Sequence, residues 1–410
     1  MSKSLPLSSR AKTTTLKKPK ELFTYTRDIN GEHHYNANQS HDGLAYYYLP
    51  DTAVDRRIDL QSGFKDFKKI PLEQDLADFK PLLDGIIKYE TETGTKVTGD
   101  IVTFRGIMTK ILSLPYNSDD SFDLVIVPFD GQLFINSDYE IELNRRKEQE
   151  TRQRQTTTEE KYEYIKKCEY SGYKFETIAT LPDTWANTSR KTIESRHKKP
   201  VNNYEQYLSV IKTGIGPHHI VLAGEVDCCW DYTPDKPSQI LQHYVELKTS
   251  RVLETSFQVQ NFEKKLFKTW CQCFLLGITK VAYGFRDDSF ILRNVELYNT
   301  EEIPVLIKEN PMNSQDARPG GSKNKNPVIN CTQALKWYGA VVEWLNHCID
   351  KSDESRSWLL KYDAIARTFT LTQASEAKND TLRSGQGKAS VISEEFRKWR
   401  KEEFSVKRDD

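Results

Sequence analysis

Hydrophobic and polar positions alternate in short runs over much of the chain, which is the period of half-buried β-strands. Residues 121–135, SFDLVIVPFDGQLFI, form two such runs around Asp130-Gly131, a favoured tight-turn pair, and predict a hairpin. A second hairpin is predicted from YLSVIKT (207–213) through a GIGP turn to HIVLAGEVDCCW (219–230). A third spans KVAYGFRDDSFILRNVELY (280–298), turning at Arg286-Asp287-Asp288. LAYYYLP (44–50) opens the aromatic-rich body, and DIVTFRGIMTKIL (100–112) reads as a strand running into another element. From Ser256 to about Gly277 the period becomes helical: Val259, Phe262, Leu266, Trp270 and Phe274 make one apolar stripe, with Lys265, Lys268 and Gln272 opposite. QALKWYGAVVEWLNHCI (333–349) predicts a second amphipathic helix.

These elements predict an α+β fold with mixed, largely antiparallel β-sheets at the centre and the two helices packed outside. Residues 1–20 are rich in Ser, Thr and Lys and are expected to be a flexible tail. Residues 21–375 are expected to form a single domain, interrupted at about 143–161 by LNRRKEQETRQRQTTTEEK, a polar insertion read as a solvated helix or a disordered segment. Residues 376–410 mix charge with Gly and Ser and are expected to be partly loose, with FRKWR (396–400) as the piece that docks.

Composition narrows the function classes. Lys+Arg and Asp+Glu are both 59, so no global basic field advertises nucleic acid, and any such contact must come from a local patch. Twenty Tyr, 18 Phe and 37% hydrophobic residues in 410 support a folded, β-rich body. The seven Cys follow no disulfide framework. Neither the Cys228-Cys229 pair nor the Cys271/Cys273 spacing is the CxxC of a zinc site, so reduced thiols are expected. No apolar run approaches the ~18 residues of a membrane span, so no membrane partner is expected. KKPK at 17–20 is a weak candidate import signal.

Chemistry enters where strands that otherwise look buried carry charge. In HIVLAGEVDCCW, Glu225 and Asp227 share one face, and in YVELKTS (244–250) Glu246 and Lys248 do the same. Alone, ELK reads as a solvated pair on a sheet surface, and EVD is little better. Together they set an acid 19 residues before Glu-x-Lys. Carboxylates meeting in a partly buried place repel one another and lose hydration, and a divalent cation with oxygen ligands relieves both costs. Phosphodiester or pyrophosphate hydrolysis is the chemistry that fits. Asp227 and Glu246 hold metal in that reading, while Lys248 orients or helps deprotonate a water and stabilises the transition state. Glu246→Ala is then expected to spare folding, because it removes one of several mutually repelling acids.

The Asp…Glu-x-Lys layout resembles the PD-(D/E)xK superfamily. TFRG (103–106), which puts Arg105 inside an apolar β segment, GYKFE (172–176), which puts Glu176 at the end of a strand-like run, GEVD, ELK and TWCQCF (269–274) occur in one order and together resemble the Rai/DXO decapping nucleases, in particular their fungal nuclear branch. The resemblance runs from LKKPKE at 16–21 through FRKWR. It implies that Glu176, Asp227 and Glu246 are metal ligands, with Glu225 a supporting acid that reaches metal directly or through water. It implies that Lys248 and Gln272 hold the attacking water and that Arg105 clamps the terminal phosphates. The implied cofactor is Mg²⁺, with Mn²⁺ as a substitute, at two ions per site. The implied substrates are RNA 5′ ends: triphosphates, incompletely methylated caps and NAD caps. The implied partner is a nuclear XRN-type 5′-to-3′ exoribonuclease, and the implied location is the nucleus. Trp185, in the loop LPDTWANTSR (181–190), is a candidate partner contact, or else a core residue. Two other classes stand beside this one: a non-catalytic partner that stabilises the exoribonuclease, and a DNA endonuclease of the same layout.

Overall fold

The structure is a computed structural model, and it describes residues 2–36, 41–55, 57–76, 78–309 and 328–404. Its frame is two sheets. The larger has ten strands in the order β1 (Lys3–Pro6), β16 (Thr368–Gln373), β15 (Trp358–Asp363), β6 (Phe122–Phe129), β7 (Gln132–Ser137), β5 (Ile101–Phe104), β10 (His218–Glu225), β9 (Gln206–Ile215), β2 (Leu16–Arg27) and β3 (His33–Asn36). The smaller has six, in the order β14 (Leu292–Asn299), β13 (Lys280–Arg286), β12 (Tyr244–Arg251), β11 (Cys228–Cys229), β4 (Tyr46–Tyr47) and β8 (Thr180–Leu181). The parallel strand pairings are β5 with β7 and β10, β11 with β4, and β12 with β13; the other pairings between these strands are antiparallel. The architecture is therefore α+β with mixed, largely antiparallel sheets.

The three hairpins form where the pattern places them. β6 and β7 turn on Asp130 and Gly131, at φ 49° and 74°, as a two-residue turn with both central residues left-handed requires. β9 and β10 turn at Gly216 and Pro217, and β13 and β14 at the Asp287 loop, where the Asp287 carboxylate accepts from the amides of Ser289 and Ile291 at 2.9 Å each. The Ser256–Leu276 helix carries a capping box between Thr255 and Gln258 and stops at Gly277, φ 80°. It is the crossover that makes β12 and β13 parallel.

Four expectations change. Residues 3–6 and 16–20 are not a loose tail but parts of β1 and β2. Their partners lie far along the chain, Lys3 opposite Leu371 and Leu16 opposite Ile215, so local pattern could not reveal them. KKPK consequently lies within β2. Residues 376–404 are packed rather than loose: Phe396 is fully buried, and Trp399 and Arg400 are buried beside it. Residues 405–410 lie outside the described residues. The two amphipathic helices do not sit outside. Phe262, Leu266 and Trp270 of one and Trp337 and Val341 of the Cys331–Cys348 helix share a single core cluster with Ile220 and Leu222 of the large sheet and Val281 and Tyr283 of the small one. Finally, GYKFE is not strand-like but belongs to the Glu159–Ala179 helix. The polar 143–161 stretch is helical too, since the Tyr139–Thr156 helix is followed directly by that one, capped by Asp138 and Thr158. No helix among the described residues is long and apolar enough to cross a membrane.

Candidate active site

The site forms where the chain passes from one sheet to the other. β10 ends at Glu225 and β11 begins at Cys228, so Asp227 lies in the crossing itself. The Arg105–Ser113 helix starts directly from the end of β5, the parallel neighbour of β10, which makes Arg105 its first residue rather than an intruder in a strand. Gly224 permits this approach: a Cβ there would meet Leu276 Cδ1 at 2.6 Å and Arg105 Cβ at 2.9 Å. Glu246 and Lys248 alternate with Val245 and Leu247 along β12, which sets the acid and the base on one face. Glu176 comes from the last turn of the Glu159–Ala179 helix. That helix buries Phe175 and Ile178 against Val245, Leu247 and Ala282, and Phe175 comes so close to Gly284 that a Cβ there would lie 2.8 Å from its ring.

Arg105 Nη1 donates to Glu246 Oε2 at 2.8 Å, and Lys248 Nζ donates to Glu246 Oε1 at 2.5 Å. The Leu247 amide donates to Asp227 Oδ2 at 2.6 Å. The Glu246 side chain is 1% exposed, while Lys248 keeps a third of its surface in solvent. These partners split the acids into two kinds. Burial pushes the Glu246 carboxyl up, but Arg105 and Lys248 outweigh it and hold the group at about 2. Asp227 is pushed up to about 7 by burial and then by Glu246, with Lys248 only partly opposing. Glu176 is raised well above the carboxylate range by burial, by Asp227 and by Glu225. Glu225 is raised by burial, partly relieved by Arg105. Burial pulls the Lys248 ammonium down, yet Glu246 and Asp227 pull it further up, so it is a fixed cation.

The structure thus brings Glu176, Glu225, Asp227, Glu246, Lys248 and Arg105 into one electrostatic group. Four carboxylates face two cations, and the three that Arg105 and Lys248 do not engage by hydrogen bond are the three held up in pKa. A hard divalent cation relieves that imbalance, and an all-oxygen donor set suits Mg²⁺, Mn²⁺ or Ca²⁺ rather than a thiophilic metal. The residues therefore fit the cofactor expected of them. Their oxygens are not gathered into a group lying wholly within 4.8 Å of one another; the two such groups among the described residues lie elsewhere. Glu246 is the acid that both cations engage, so its removal would leave Arg105 buried without its counterion, which argues against folding being spared.

Two expected residues stand apart from this geometry. Gln272 is half-buried on the Ser256–Leu276 helix, next to Cys273, whose thiol interacts with Glu246, Arg105, Lys248 and Asp227. Cys273 escaped the sequence reading because the apolar stripe absorbs it. Trp185 is 63% exposed in its loop, so it is not a core residue.

Comparison with known proteins settles the family. Residues 17–397 match the model described as RAI1 like PD-(D/E)XK nuclease. The chain belongs to this family. It is 60% identical over 400 residues to the decapping nuclease RAI1 of Candida albicans, covering 98% of this chain and 99% of that one. The structure of Candida albicans Rai1 in complex with pU5-Mn²⁺ superposes with a TM-score of 0.91 at 60% identity, over 98% of this chain and 99% of that one. That of Scheffersomyces stipitis Rai1 in complex with (3′-NADP)⁺ and a calcium ion gives 0.89 at 55% identity, over 97% and 99%. The chain is therefore a nuclease, and so a hydrolase, on a PD-(D/E)XK fold. Gly224, Glu225, Asp227 and Glu246, from GEVD and ELK, are the residues that surround Arg105 in the geometry above.

Proposed function

We propose that this RAI1-family nuclease hydrolyses defective 5′ ends of RNA in the nucleus. It releases pyrophosphate from 5′-triphosphate RNA, removes incompletely methylated caps as a cap dinucleotide and removes NAD caps. Each reaction leaves a 5′ monophosphate, the substrate of an XRN-type exoribonuclease that the chain also binds and stimulates. The observation that carries the reading is the charge imbalance of the site: four carboxylates against Arg105 and Lys248. Supporting it are the names of the relatives, decapping nucleases, and the ligands of two structural neighbours, pU5 with Mn²⁺ in one and a nicotinamide dinucleotide with calcium in the other.

Glu176, Asp227 and Glu246 would hold the divalent cations, two per site, with Glu225 ligating directly or through water. When bound, the cations make water a better nucleophile and neutralise charge on the phosphoryl oxygens. The chain's own groups do the rest. Lys248, a fixed cation with part of its surface in solvent, orients the attacking water and stabilises negative charge in the transition state. Gln272 donates or accepts to that same water. Arg105, ion-paired to Glu246 at 2.8 Å, couples the acid to the incoming 5′ phosphates, with which its planar guanidinium shares its remaining donors. The exposed Trp185 is the anchor proposed for the exoribonuclease.

The test is pyrophosphate release from 5′-triphosphate RNA with Mg²⁺ or Mn²⁺, by the parent chain and by Glu176→Gln. Release by the parent and its loss in the variant is the expected result. No release by the parent, with tight binding to the exoribonuclease that Trp185→Ala abolishes, leaves only the partner role.

A further inference from the structure

A second group of ligand atoms lies at the end of β11 and in the connection from it to β12. Cys229 Sγ, an Asp231 carboxylate oxygen and a His243 ring nitrogen all lie within 4.8 Å of one another. Their backbones are fixed from both sides. The Cys229 amide donates to Ala45 O at 2.8 Å, and Cys229 pairs with Tyr244 on β12 and Tyr46 on β4. The Trp230 amide donates to His243 O at 2.7 Å, tying the two ends of the loop together. His243 Nδ1 lies 3.0 Å from Asp231 Oδ1, and Cys229 Sγ lies 3.2 Å from the carbonyl oxygen of Tyr232. Cys229 is fully buried, whereas the His243 and Asp231 side chains are 20% and 45% exposed.

That gradient of exposure gives the group a dry sulfur end and a wet oxygen end. A cavity of about 530 Å³ opens beside it, with Asp231, His243, Trp230 and Lys280 among its lining residues. Asp231 and His243 line the cavity and Cys229 does not, so a metal reaching the group from the cavity would meet the oxygen and nitrogen donors first, with water there available as a further ligand. The other close group, Asp28, Glu32 and His34, has no sulfur donor and no buried member. In both groups the aspartate Oδ1 also accepts from backbone amides, of Tyr232 at Asp231 and of Asn30 and Glu32 at Asp28.

We propose that Cys229, Asp231 and His243 form a site for a thiophilic divalent cation, Zn²⁺ by donor type, with its fourth position open to the cavity. The sulfur, nitrogen and oxygen donors select against the hard cations that suit the four carboxylates, so the two sites take different metals. Bound there, the ion clamps residues 229–243, the segment that leads from Asp227 into the Glu-x-Lys strand. The usual zinc spacings miss this site because only one of its three ligands is a cysteine.

Co²⁺ is the probe, because a cobalt–thiolate bond gives a charge-transfer absorption that carboxylate ligation does not. The full chain, reduced and freed of metal with a chelator, is titrated with Co²⁺ alone and then with Zn²⁺ alone. One equivalent of thiolate–cobalt absorption is expected in the parent, bleached by Zn²⁺. It should be retained in Glu176→Gln, which alters only the carboxylate site, and lost in Cys229→Ser. Should Cys229→Ser fail to fold, His243→Ala and Asp231→Asn, at partly exposed positions, replace it with an expected loss in Co²⁺ affinity of at least about tenfold. No thiolate absorption in the parent, its persistence in Cys229→Ser, or unchanged affinity in both partly exposed variants would overturn the proposal.

Discussion

The Glu90–Arg400 anchor and the carboxylate site both bury ionised side chains, but they balance them differently. At the anchor, two acids, Glu90 and Asp130, meet two cations, Arg400 and Lys96, and the remaining valences of Glu90 are filled. Glu90 Oε1 accepts from the Val97 amide at 2.7 Å and Arg400 Nη2 at 2.8 Å; Oε2 accepts from Trp399 Nε1 at 2.8 Å and Arg400 Nε at 3.0 Å. Arg400 Nη1 reaches Asp130 at 2.5 Å, and Nη2 also reaches Val97 O at 3.1 Å. At the carboxylate site only Glu246 is treated this way. Glu176, Glu225 and Asp227 crowd round it in excess. Burial of charge is therefore common to both regions, and the crowding of several carboxylates is what separates the carboxylate site from the anchor. The anchor is a closed structural joint that pins the C-terminal segment beneath the Lys80–Thr93 helix.

The largest expected effect on stability lies at the anchor. Arg400→Ala strands Glu90 in the core and should cost about 3–5 kcal/mol in denaturant unfolding. Pyrophosphate release per folded molecule should stay at the parent level. A cost below about 1 kcal/mol would mean that the joint is not closed as described.

Glu246→Ala comes next. It removes the acid that compensates Arg105 and Lys248, so it should cost about 3 kcal/mol as well as abolishing hydrolysis. Unchanged unfolding would show that the neighbouring acids take over its cations and that Glu246 is not distinct from them.

Glu21 sharpens the contrast from a third position. It is a buried acid with hydroxyl partners and no cation: Ser209 Oγ at 2.5 Å and Tyr244 OH at 2.8 Å bond Oε2, and Oε1 has no hydrogen-bond partner. Burial raises it to about 7 against those hydrogen bonds. The native state then holds this proton more tightly than the unfolded chain does. Its contribution to stability is therefore complete below about pH 4.5 and is lost as pH rises through about 7. Over that window the loss is about 3 kcal/mol, at roughly 1.4 kcal/mol per pKa unit. Glu21→Gln should flatten that part of the pH profile of unfolding. A variant profile parallel to the parent's between pH 5 and 8 would contradict this.

Much of this was legible in the sequence, and what was not has a common cause. The hairpins were legible because turn chemistry is local: Asp130-Gly131 can adopt the left-handed pair at little cost. The Ser256–Leu276 helix was legible from its stripe and its ends, and GEVD and ELK from acids misplaced in apolar strands. What failed depended on distant partners. β1 exists only because residues 368–371 are beside it, and Arg400 looks like surface charge until Glu90, 310 residues away, is brought against it. Glu176 falls in the same electrostatic group as Asp227 and Glu225 but on a helix rather than a strand, because KFET carries aromatic and β-branched residues that a long helix tolerates when it packs. The alliance of Arg105 with Glu246, rather than with solvent or substrate alone, had no local signal at all.

The central claim is that surplus carboxylates, not buried charge as such, define the catalytic centre. Glu176→Gln tests it most directly, with unfolding and pyrophosphate release measured on the same preparation. The account predicts stability within about 0.5 kcal/mol of the parent or higher, because a repelled carboxyl becomes a neutral isostere, together with a fall in hydrolysis of about 10²-fold or more. A variant that unfolds several kcal/mol more easily, or one that hydrolyses RNA 5′ ends at the parent rate, would contradict it.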